Sequence, residues 1–338
     1  MLDNTKLDSR ISRFAVGATV TALIAFCVNW PMAYVAPVLV VKFLSQPLKS
    51  FGLGTALQLV MVIVGAFFVG FLFASIFFPF PLVFIPAQGL VLFCLFYSCY
   101  RGMSQIFVTL GLVSFTLLPL LHSSSATLSG TVFTHIVLGG ILAIVVTLFV
   151  WNVFPHSSVS SVQKKVAPRP MEVPHLFAFR STIVLLPLSI LFISMEWSSE
   201  ALVLVFAAIF LLTPELSMGK AAGISSLVST LLGGMSAMAF YYIIVLTPSV
   251  LFLAAMLLLV FLLFGAVIFS DSKYARYMPS AATCFLILVG GSMKPDADFE
   301  SAFFRRLILI FGATLYTVLA QGILQRLFPV PEREDSTQ

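Results

Sequence analysis

Charge is what this chain has least of. Only 9% of its 338 residues are Asp, Glu, Lys or Arg, where a soluble domain carries about a quarter. With 60% hydrophobic residues and a mean hydropathy of +1.10, too little polar side chain exists to cover a water-facing surface. Lipid is therefore the expected solvent. Acid is scarcer still, with no Asp or Glu between Asp8 and Glu172. The net charge of +5 comes mostly from loops and reads as membrane topology. No soluble basic face exists to follow a phosphate backbone, which excludes nucleic acid as a partner. The four cysteines (Cys27, Cys94, Cys99 and Cys284) fall inside apolar runs. With no CxxC and no Cys/His cluster, no metal site is expected. HExxH, GxSxG and the Walker loop are all missing, and the one Gly-x-Gly, Gly52–Gly54, opens an apolar run. An ATP-driven pump in a single chain is excluded, and no catalytic residue or cofactor can be assigned, so the chain is not expected to be an enzyme.

What is present is a series of long, continuous apolar runs. They do not alternate, so helices are expected and strands are not. Proline, glycine and charge punctuate them into segments near 13–29, 31–46, 53–77, 81–99, 104–121 and 131–154, then 178–195, 198–213, 220–245, 249–270, 278–292 and 302–328. The second segment of each half is short for a bilayer span, which leaves ten spans as the alternative to twelve. Thirty-five Phe residues suit lipid-facing and packing positions, or a pathway for aromatic substrates. Fifteen of the 18 Lys and Arg residues fall on the side of the N-terminus, and only Lys294, Arg305 and Arg306 on the other. The positive-inside rule then puts both termini in the cytoplasm. The first run lacks a small-x-small cleavage site, so it is expected to be a retained helix and not a signal peptide.

The runs also repeat. Arg13, Trp30 and Pro47 are seventeen residues apart, and Arg180, Trp197 and Pro214 keep that spacing in the second half. FLSQPLKSFG (43–52) answers FLLTPELSMG (210–219). The expected architecture is an all-α membrane protein of two parallel six-helix repeats, 1–155 and 176–329, joined by a cytoplasmic linker, 156–175, and ended by a polar tail, 330–338. Arg13 and Arg180 are expected to contact the carbonyls that end the neighbouring short helix, near Pro47 and Pro214. An aromatic-belt role is the simplest reading of Trp30, Trp151 and Trp197.

Charges in lipid are costly, which makes them candidates for function. Lys42 lies near the end of the short second segment, as a snorkelling cation or an anion-attracting one. His135 is a hydrogen-bonded core residue or a proton relay, and Glu200 an interfacial carboxylate or a proton-coupling one. With no acid after Asp8, the first half could pass protons only through His122, His135 or polar groups. Arg305 and Arg306 stand on the sparsely charged side, where pairing with Asp296, Asp298 or Glu300 would explain them at least cost. Gly219 and Gly223 allow close helix approach, and they leave homo-oligomerisation open.

The Arg-led first helix, the turn W-P-x-A-Y-x-x-P-V at Trp30–Val38 and the stretch QPLKSFGLG together resemble the fusaric-acid-resistance-like superfamily of inner-membrane proteins. The second copy, from Trp197 through LTPELSMGKAAG, is similar to the same pattern. The resemblance covers nearly the whole chain and is closest to a compact branch with a short linker. It implies export of small aromatic or hydrophobic compounds, some of them anionic, from a bacterial inner membrane beside a periplasmic membrane-fusion adaptor. With the absence of an ATPase motif, the proton gradient is the expected driving force. The competing expectation is a membrane scaffold that anchors an adaptor or an envelope-assembly complex.

Overall fold

The structure is a computed structural model, and it describes the backbone of residues 4–28, 30, 32–46, 51–154, 174–198, 201–212, 216–247, 249–292 and 299–327. Every regular element among these is an α-helix: α1 (Asn4–Cys27), α2 (Val35–Ser45), α3 (Leu53–Phe77), α4 (Pro81–Tyr100), α5 (Gln105–Ser124), α6 (Ala126–Val153), α7 (Pro174–Ser194), α8 (Ala201–Phe210), α9 (Leu216–Leu246), α10 (Val250–Ile268), α11 (Met278–Ser292) and α12 (Phe299–Leu327). Eight of them, α1, α3 to α7, α9 and α10, are long and apolar enough to cross a membrane. The chain thus has the make-up of a multi-pass, all-helical membrane protein. Helices α2 and α8 have 11 and 10 residues. At about 1.5 Å per residue they reach only half of a ~30 Å hydrocarbon core.

The short second helices start later than the apolar runs suggest, because a turn comes first. Val28 N–H bonds Ile24 O and Trp30 N–H bonds Ala25 O, both at 3.1 Å. At the end of α7, Met195 N–H bonds Leu191 O and Trp197 N–H bonds Phe192 O, both at 3.0 Å. A bond back over five residues marks a Schellman closure, which satisfies carbonyls that the helix end leaves open. Such a closure needs one left-handed residue. At the end of α7 it is Glu196, with φ of 53°. The two closures fall at matching places in the register that sets Trp30 against Trp197, with Val28 answering Met195. Helices α1 and α7 end in that same register, at Cys27 and Ser194. Elsewhere, Ser249 caps α10 by accepting from Phe252 N–H at 3.2 Å, and Pro81 opens α4 at a position that needs no donor.

The chain divides into two compact units, and neither is one half of the sequence. The first holds residues 1–65, 131–165 and 225–307, the second 66–130, 166–224 and 308–338. In the first unit α1 packs on α10 and α2, and α11 packs on α2 and α10. In the second, α7 packs on α4 and α8, and α5 packs on α8, α4 and α7. Helix α11 is its unit's core: Ala281 through Val289 are all buried, as expected of a helix apolar on every face. Helix α5 serves the second unit, with Ser114 through Leu121 all buried. Other helices turn apolar stripes outward. Leu57, Met61 and Phe68 on α3 and Leu251, Leu259 and Leu263 on α10 are exposed, as suits lipid and would not suit water.

Glycine and small polar residues set the closest approaches. In the second unit a β-carbon at Gly70 of α3 would overlap Ser114 Oγ of α5, and Ser114 donates to Ala66 O at 2.8 Å. In the first, a β-carbon at Gly233 of α9 would overlap Ala281 O of α11, and Cys284 Sγ donates to Thr230 O at 3.8 Å. Each core helix thus bonds a carbonyl about one turn before a glycine, which lets the two backbones come together.

Candidate functional site

The second unit buries a polar seam where α4 meets α7. Gln88 on α4 is fully buried. Its Nε2 donates to Ser189 Oγ on α7 at 2.9 Å and to Phe115 O on α5 at 3.3 Å. The second bond has a cause in the sequence. Pro119 lies inside α5 and has no N–H, so the carbonyl four residues before it, Phe115 O, loses its helical donor. In a bilayer such a carbonyl must find another partner, and Gln88 supplies it. Gln88 Oε1 has no hydrogen-bond partner among the described residues. Next to it, Gly89 brings α4 close to α7, its absent β-carbon 3.1 Å from Leu186 Cδ2.

Twelve residues further along α4, about 18 Å at helical rise, lies a second polar node. Tyr100 is buried, 2.9 Å from Ser181 Oγ, and its hydroxyl donates to Leu211 O at 2.8 Å. Ser181 also donates to Leu211 O, at 3.2 Å. Leu211 follows the last residue of α8, where carbonyls have no partner within the helix. No hydrogen bond from Arg180 to the carbonyls ending α8 is described; on α7 a neighbouring hydroxyl reaches one of them. Ser181 makes the contact, one residue beyond Arg180.

Arg180 itself is buried, at 6% exposure. Its guanidinium carbon lies 5.4 Å from the centre of the Phe177 ring, and Phe177 in turn meets the Tyr100 ring edge-on at 6.1 Å. Among the described residues Nε and Nη2 of Arg180 have no hydrogen-bond partner. A buried charge left without compensation costs several kcal/mol, on the order of 3–5. Arg13, by contrast, is half-buried and lies 4.0 Å over the Trp151 ring, so a cation–π contact covers one face. Trp151 is therefore a platform for Arg13 as well as an aromatic near a helix end.

The other singled-out residues do not gather into one site. Lys42 is exposed in the last turn of α2. His135 is half-buried on α6, edge-on to Trp30 at 6.0 Å, with Nδ1 unpartnered among the described residues. No hydrogen bond or ring contact among the described residues joins Lys42 to His135. His122, at the end of α5, meets Phe78 edge-on at 5.3 Å. Trp197 packs edge-on to Phe192 at 5.4 Å. Pro47, Glu200, Pro214, Asp296 and Asp298 lie outside the described residues, as do the side chains of Glu300 and Arg306, so the expected outer pairing falls there too. Arg305 is exposed near the start of α12. Among the described residues no three His, Cys, Asp or Glu side chains group to hold a metal.

Reasoning from charge passes over Gln88, Tyr100, Ser181 and Ser189. Their signal is a lone amide beside proline and glycine, PAQG at 86–89, and a serine next to a repeated arginine. In lipid either one demands a partner.

These features define a helical multi-pass membrane protein with a polar seam buried inside one of its units. Residues 10–150 match the model of a family described as a protein of unknown function (DUF2955). No curated protein and no solved structure matches the chain.

Proposed function

We propose that the chain is the inner-membrane component of an efflux system, moving small hydrophobic or aromatic compounds, anionic ones among them, outward on the proton gradient beside a periplasmic adaptor. The observation that carries the reading is the buried seam of Gln88, Ser189, Tyr100, Ser181 and Arg180. Polar groups and a cation inside a protein this poor in charge are costly, and in membrane proteins such groups mark substrate and ion paths. The resemblance to the fusaric-acid-resistance-like superfamily adds to it. Both termini lie in the cytoplasm in this reading, from the distribution of Lys and Arg.

The same reading takes the chain as two parallel six-helix repeats. The matched Schellman closures of α1 and α7 support it, as does the matched packing of α1 on α10 and α7 on α4. A duplicated chain has such pairs wherever its halves exchange equivalent helices. With α2 and α8 half a bilayer long, ten spans fit the repeats better than twelve.

Uptake of radiolabelled benzoate into cells that carry the adaptor tests the function. Cells with the wild-type chain should accumulate less than empty cells, and a protonophore should remove the difference. Gln88→Leu should abolish export while protein levels hold. Equal accumulation with and without the chain would overturn efflux and leave the scaffold reading.

A further inference from the structure

Among the groups of the second unit, Arg180 is the one whose chemistry is least complete. It is a permanent cation, almost wholly buried, and its two fully buried nitrogens without a partner among the described residues are Nε and Nη2. Those two form one edge of the guanidinium, the edge that takes a carboxylate or phosphate through two parallel N–H···O bonds. The Phe177 ring lies 5.4 Å from the guanidinium carbon. The nearby hydroxyls of Tyr100 and Ser181 both give their protons to Leu211 O, and neither accepts from Nε or Nη2. Nor does the described part of the unit hold a carboxylate in reach. Its described acid is Glu196, just past the far end of α7 and sixteen residues on from Arg180, roughly 24 Å away at helical rise. A two-pronged donor edge, desolvated and without a partner among the described residues, is a site suited to an oxyanion.

We propose that Arg180 is a binding site for a single oxyanion, a carboxylate or phosphate group held side-on by Nε and Nη2, with Phe177 as its apolar wall. Both a free small anion and an anionic lipid headgroup present this chemistry. The site does not depend on transport. A protein that binds oxyanions and exports nothing would keep the site and lose the efflux reading.

The test uses the full-length protein in neutral maltoside detergent, with benzoate, inorganic phosphate and dioleoylphosphatidylglycerol as separate probes. Thermal unfolding midpoints of the wild type should rise and saturate with at least one probe. A rise with benzoate or phosphate assigns a free anion; a rise with the lipid alone assigns a headgroup. Arg180→Gln should abolish the rise, while Arg101→Gln, at an exposed arginine, should keep it. Arg180→Lys retains the charge but not the paired edge, and its half-saturating concentration should be about tenfold higher. It carries the test alone if Arg180→Gln does not accumulate. No rise with any probe, a full rise in Arg180→Gln, or an unchanged half-saturation in Arg180→Lys overturns the site.

Discussion

In one unit α1 meets α10 through phenylalanine; in the other α7 meets α4 through hydroxyls and an amide. Phe14 touches the rings of Phe261 and Phe269 edge-on at 6.3 and 6.1 Å, and Arg10 lies 4.9 Å over Phe269. In the register that sets Arg13 against Arg180, Phe14 answers Ser181 and Arg10 answers Phe177. Ser181 meets Tyr100, and Phe177 meets Tyr100 as well. The same contacts are thus made by Phe269 on one side and Tyr100 on the other. Aromatic packing is not foreign to the second unit, where Phe73, Phe84 and Phe115 cluster. The contrast belongs to one seam. Between helices in lipid, apolar packing brings dispersion but little hydrophobic gain, while hydrogen bonds contribute about 0.6 to 2 kcal/mol each. An aromatic seam is therefore enough to hold two helices together. The polar seam does the same work and in addition strands polar atoms, at Gln88 Oε1 and Arg180. Stranded atoms bring no stability, and that points to use. The first unit has its own, on Arg13, Thr19 and His135, but there the cation is half-buried and stacked on a ring.

The largest effect should come where the two units make the same close approach with different atoms. At Gly233 an added β-carbon meets a backbone carbonyl, Ala281 O; at Gly70 it meets the hydroxyl of Ser114, which can rotate. Gly233→Ala should cost about 3 kcal/mol, the upper end for overpacking, and Gly70→Ala roughly half as much. Reversible unfolding in mixed micelles checks the order. If Gly70→Ala is the worse of the two, the first unit's core is not the stiffer one.

Next comes the substitution that gives the second seam the chemistry of the first. Helices α4 and α10 start at Pro81 and Val250; counted from those starts, Gln88 answers Leu257, and both are fully buried. Gln88→Leu keeps the volume but leaves Phe115 O, already without its helical donor, and Ser189 Oγ without the amide. A loss of about 1–3 kcal/mol should follow, the cost of orphaning buried polar groups. A neutral result would mean that water satisfies Phe115 O and that the seam is wetter than its burial implies.

The helices and their order were legible in the sequence because apolar runs bounded by proline and charge leave the backbone one option in lipid. The α3 run, 53–77, matches its helix, Leu53–Phe77. The lengths of α2 and α8 were less legible, since a Schellman closure takes up residues as apolar as the helix itself, such as Val28 and Met195. The polar seam was hidden for another reason. Gln88, Ser189 and Phe115 are scattered along the chain and join only through tertiary packing. The need that unites them, a carbonyl bared by Pro119, emerges once α4 is known to lie against α5. Lys42 and His135 drew notice by charge alone, and charge does not reveal which helix a side chain faces.

The smallest effect concerns the node at the end of α8, and there the distinguishing sign is non-additivity. Leu211 O receives two donors, Tyr100 at 2.8 Å and Ser181 at 3.2 Å. Tyr100→Phe copies Phe269 of the first unit and removes one donor, but Ser181 still serves the carbonyl. Ser181→Ala removes the other, and Tyr100 remains. Each single change should therefore cost only about 0.5–1 kcal/mol, the net value of one hydrogen bond. Together they leave a helix-end carbonyl buried with neither donor, so the double variant should lose more than the two singles combined. The excess should be about 1 kcal/mol, read from a double-mutant cycle of unfolding free energies. Additive losses would mean that the carbonyl has a further donor. The polar node would then be an ornament on an aromatic contact of the kind the first unit makes, with Tyr100 meeting Phe177 edge-on where Phe269 lies under Arg10.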